Sequence, residues 1–112
     1  MAVGSFPESD WKVFRELQQL ALERFCKRVL DDLKPVLQET SRSHHERYLA
    51  VFRLLRAKDD EIAQAFNDPR RSRMIPQLAA ICSHGLLEPQ ELERFTPGTR
   101  TTIEWLTKEF TR

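Results

Sequence analysis

Residues 41–48 read SRSHHERY, two adjacent histidines beside a glutamate, a tyrosine and two arginines. Such side chains could hold a metal ion or exchange protons. A helical metal site needs ligands that converge, as in His at i and i+4 or a Glu-x-x-His pair, and the chain has neither HExxH nor ExxH. Consecutive helical residues diverge by about 100°, so His44 and His45 do not meet on one ion. The start of a helix is also electropositive, which disfavours imidazolium. Ser43 and Glu46 instead fit the S/T-x-x-E capping box, in which each side chain satisfies a backbone N–H that the helix cannot. The histidines are expected to be bystanders of a helix start, with no metal and no cofactor.

The other reactive groups are sparse. Cys26 and Cys82 form no CxxC, and are expected as buried thiols in a reducing cytoplasm. Cys82 and His84 are two apart and diverge on a helix, the wrong arrangement for a thiolate–imidazole pair. Asp31-Asp32 and Asp59-Asp60-Glu61 are adjacent acids, normally a solvated face. No glycine-rich phosphate loop, GxSxG or EF-hand spacing occurs. An enzyme is not expected.

Basic residues concentrate in one region. Arg42, Arg47, Arg53, Arg56 and Lys58 are followed by Arg70, Arg71 and Arg73 in DPRRSR. The last three fall beside a helix start, where positive charge is unfavourable by ~0.3–1 kcal/mol each. Either nearby acids such as Asp59 and Asp60 compensate them, which is the favoured account, or the turn holds an external anion. Nucleic acid is disfavoured as that partner. Net charge is only +1, and the one helix–Gly–helix segment, PQLAAICSHGLLEPQELERF, carries Glu88, Glu91 and Glu93 against Arg94 where phosphates would lie.

These groups must be carried by helices. Three glycines, no repeat and an abundance of Leu, Glu, Arg, Gln and Ala in 112 residues favour one all-α domain, 1–112. Val13, Phe14, Leu17, Leu20, Ala21, Phe25, Val29 and Leu33 recur at helical steps, so a first helix is expected from a Ser9 or Asp10 cap to about Leu33. Pro35 should end or kink it. Tyr48, Leu49, Phe52, Leu55, Ile62, Ala63 and Phe66 carry a second helix from Ser43 to about Phe66. Two such helices with a short connection form a long antiparallel hairpin. Phe14, Leu17, Phe25, Phe52, Leu55 and Phe66 are its expected core.

Three shorter helices should cover that hairpin. Asp68-Pro69 opens the third, unless Pro76 delays its start to nearer Ser72, and Gly85 closes it. The fourth runs from Pro89 to Phe95. The fifth opens at Thr96-Pro97 or at Thr101-x-x-Glu104, with Ile103, Leu106 and Phe110 inward. Trp11, Leu22 and Trp105 fall off the core faces, as interface residues do, and a homodimer is the favoured assembly. The N-terminus lacks a leader-like apolar run and no segment suits a membrane span, so a cytoplasmic protein is expected. The expected function is that of a small non-enzymatic interaction or regulatory protein working through a helical surface. The alternative is a binder of nucleic acid or another anion at Arg70, Arg71 and Arg73.

Overall fold

A computed structural model describes residues 6–110, and the side chains of Glu109 and Phe110 lie outside that description, as does the inward placement expected for Phe110. The protein is all-α. α1 spans Glu8–Gln38, α2 His44–Phe66, α3 Met74–Ser83, α4 Pro89–Leu92 and α5 Pro97–Phe110, with a 3₁₀ turn at Arg71–Arg73 before α3. Among the described residues no helix is long and apolar enough to cross a membrane.

α1 starts two or three residues earlier than its cap-type residues suggest. Pro7 precedes it in extended conformation, and Asp10 sits inside its first turn. At the other end Pro35 does not stop the helix, which runs on to Gln38. The proline lies within the last turn, and the carbonyl it orphans, on exposed Asp31, faces water. The turn that follows is tied down. Arg47 Nη1 donates to the Leu37 carbonyl at 2.9 Å, and the Ser41 hydroxyl donates to Glu39 at 2.7 Å. The Ser43–Glu46 capping box forms in both directions, at 2.9 and 3.0 Å.

α2 ends at Phe66, and Asp68 adopts φ 49°, a left-handed turn that redirects the chain. α3 opens only at Met74, so Pro76 falls in its first turn, where a missing N–H is harmless. Gly85, at φ 67°, closes α3, with its N–H on the Cys82 carbonyl and the Leu86 N–H on Ile81. α4 is one turn, shorter than the sequence suggests, and the Glu91 carboxylate caps it by accepting from the Glu88 backbone N–H at 2.7 Å. The Thr96-Pro97 start is the one α5 uses; Thr101 and Thr102 lie inside the helix and bond back to the carbonyls of Pro97 and Gly98.

The core occupies one end of the hairpin. Phe14, Leu17, Ala21 and Phe25 of α1 meet Met74, Ile75, Leu78 and Ile81 of α3, with Leu86, Phe95 and Ile103 closing over them. From α2 only Ala65 and Phe66 are buried. Expected core residues Phe52 and Leu55 are in fact 52% and 42% exposed. The three short helices gather over the N-terminal part of α1 and the end of α2. The molecule is therefore a packed base with a two-helix arm, 55 Å in its long dimension against 27 and 23 Å.

Candidate functional site

The arm is where α1 beyond Val29 runs beside α2 before Ala65. Two helices alone have no interior, so apolar side chains along their shared edge stay in water unless something covers them. Leu30, Leu37, Tyr48, Phe52 and Leu55 are all exposed large hydrophobics. Cys26, Val29, Leu30, Phe52, Leu55 and Ile62 wall an open groove of about 550 Å³, with Arg56, Lys58 and Asp59 on it. Every residue of its lining belongs to α1 or α2. A second, smaller hollow at the tip is lined by Leu37, His44, Arg47, Tyr48 and Val51.

The charges on the arm differ from those on the base. At the base, arginines are engaged. Arg24 forks onto Glu91 at 2.7 and 2.9 Å and also reaches the Leu86 carbonyl at 2.8 Å. Arg28 takes the carbonyls of His84 and Gly85, and Arg94 pairs with Glu16. On the arm Lys58 pairs with Glu61 at 3.2 Å and Asp31 with Lys27 and Lys34. Arg53, Arg56, Asp59 and Asp60 are exposed, and among the described residues they make no ion pair.

The residues singled out from the sequence fall as follows. His44 and His45 are exposed in the first turn of α2, and no three His, Cys, Asp or Glu side chains among the described residues are grouped to hold a metal. Cys26 and Cys82 are half-buried, in place of the buried thiols expected; desolvation still pushes the Cys82 thiol up to about 11 and leaves it a poor nucleophile. Arg70 bonds Asp68 at 3.0 Å; Arg73 reaches the same carboxylate at 3.4 Å; Arg71 forks onto Glu8. That contact with Arg71 holds the Glu8 carboxyl below its ordinary range. The compensating acids are thus Asp68 and Glu8, in place of Asp59 and Asp60.

Trp11 needs correction as an interface residue. It is 8% exposed, stacks on Phe14 at 5.7 Å between centroids, and lies under the guanidinium of Arg71 at 5.2 Å. It belongs to the core because α3 and α5 surround the start of α1 on more than one side. Leu22 is half-buried against the same core. Trp105 is 63% exposed, but on α5 and away from the groove lining.

Sequence reasoning missed the arm itself. Its signal was present: Tyr48, Phe52, Leu55, Asp59, Ile62 and Phe66 are spaced 4, 3, 4, 3 and 4, and Cys26, Leu30, Leu33 and Leu37 are spaced 4, 3 and 4. That is the a/d rhythm of a helical seam. It reads equally well as an ordinary core face. Set against models of known families, curated proteins and solved structures, the chain has no match, so its function is argued from this surface.

Proposed function

We propose that this is a non-enzymatic interaction protein of the cytoplasm that works by presenting the α1–α2 arm to another macromolecular surface. One observation carries the reading: five large apolar side chains lie uncovered along the arm, beside a groove of about 550 Å³. Monomeric proteins seldom leave contiguous apolar patches beyond a few hundred Å² in water. These residues contribute little to the fold, because the buried core ends at the base. A chain selected only for stability gains nothing from a tyrosine and a phenylalanine there. Two free thiols, Cys26 and Cys82, suit a reducing compartment. The arginines of the basic turn already have carboxylate partners, so that corner offers an external anion less than its sequence suggests.

The test replaces Phe52 and Leu55 together by glutamate. Circular dichroism should show unchanged helix content, since both side chains already face water. Cells carrying the variant in place of the native copy should resemble a deletion, at unchanged protein level. Normal behaviour of such cells would overturn the proposal.

A further inference from the structure

We infer that the surface that covers the arm is the arm of a second copy of this chain, laid antiparallel so that α2 packs on α2 about a two-fold axis and two hairpins close into a four-helix bundle. The inference rests on the reading of the arm as an interaction surface and names its occupant. Three features of the arm point to it.

The first is rhythm. A seam stepping 4, 3, 4, 3 along α2 keeps facing a neighbouring helix over its whole length, because a slight left-handed supercoil absorbs the mismatch with 3.6 residues per turn. A compact, non-helical partner has no use for that regularity. The seam's one polar interruption is Asp59, which makes no ion pair among the described residues.

The second is charge. Along α2, Arg56 and Asp59 both lie on the groove, are exposed, and among the described residues make no ion pair. They are three apart on one helix but do not pair with each other. A block of this kind is its own complement when inverted. With the two-fold axis level with Ala57, Arg56 of one copy comes within about 1.5 Å in height of Asp59 on the other. Phe52 then lies level with the other copy's Ile62. A parallel pairing would set like charges side by side. A foreign helix would need the same block by coincidence, whereas a second copy always carries it.

The third is area. The exposed parts of Leu30, Leu37, Tyr48, Phe52 and Leu55 amount to roughly 600 Å², taking ~200 Å² for a whole leucine and ~250 Å² for an aromatic residue. A stable interface buries about 800 Å² per partner, of which about two thirds or less is apolar. The arm supplies that apolar share unaided, and an isologous contact uses the same patch twice.

Sedimentation equilibrium of the full chain tests this with two charge variants. One is Arg56→Asp; the other is Asp59→Arg. The wild type should be dimeric at micromolar concentration. Each variant alone should dimerise at least ten-fold more weakly with its helix content retained, and an equimolar mixture should recover the dimer. Phe52→Glu with Leu55→Glu should also be monomeric, which guards against a charge variant that fails to fold. A wild type that stays monomeric at several hundred micromolar overturns the inference; if the Phe52/Leu55 variant still behaves as a deletion in cells, the arm's role in binding survives without it. A dimer indifferent to these changes but broken by Trp105→Ala assigns the contact to α5 and also overturns it. Failure of the mixed variants to pair rejects the antiparallel arrangement.

Discussion

Asp10 is 1% exposed, and a carboxylate so deeply buried is costly unless every lone pair is used. It accepts from the Thr96 backbone N–H at 2.9 Å and from the hydroxyls of Thr96 and Thr99 at 2.6 Å each. The side chain therefore caps the start of α5 from within α1, and it pins the two ends of the base together. Asp10→Ala strands one backbone donor and two hydroxyls in a dry site, so it should cost about 2–4 kcal/mol in urea unfolding. A loss below about 1 kcal/mol would mean that water replaces the carboxylate, and that the three contacts do not organise α5. The sequence marks Asp10 as a cap by its type and its place before an apolar run. What it caps was not legible, because the target lies far along the chain and nothing local distinguishes a cap in cis from one in trans.

Between elements, the same trans logic holds α3 and α4 to α1. Arg28 supplies the donors for the carbonyls at the end of α3, and Arg24 grips both the Leu86 carbonyl and Glu91 of α4. The Arg24 guanidinium, through its hydrogen bonds to Glu91, holds that carboxyl below its ordinary range. A group whose pKa is lower folded than unfolded stabilises the protein above its unfolded pKa, about 4.3 for glutamate, and that stability drains away as pH falls through the folded value. Wild type should therefore lose more stability between pH 6 and pH 3 than Glu91→Gln does, by about 1 kcal/mol, a modest figure because the arginine is still a third exposed. Parallel urea titrations at the two pH values measure the difference, and equal losses would show that the pair does not hold α4. Helix starts governed by local pairs, such as Ser43–Glu46, were readable from sequence. Arg24 and Arg28 were not, since exposed-looking arginines on a helix carry no sign of the carbonyls they will meet.

At the scale of the molecule, the base carries the fold and the arm is carried by it. Periodicity reports which residues share a face, and it did so correctly for α2, but it is silent on what lies against that face. A core stripe and a seam awaiting a partner obey the same spacing rule, since both bury a helix side against something apolar. That ambiguity is why Phe14 and Phe52 look equivalent in the sequence and are 0% and 52% exposed in the structure. Two substitutions measure the distinction directly. Phe14→Ala opens a cavity among Trp11, α3 and the rest of the base, and should cost ~3–5 kcal/mol. Phe52→Ala removes a ring that is already half in water and leaves no enclosed cavity, so at protein concentrations low enough to keep the chain monomeric it should cost less than about 1 kcal/mol. Raising the concentration should widen the loss for Phe52→Ala and leave that for Phe14→Ala unchanged, because only a side chain used between copies couples stability to mass action. Equal costs for the two at low concentration would place Phe52 in a closed core and remove the division into base and arm.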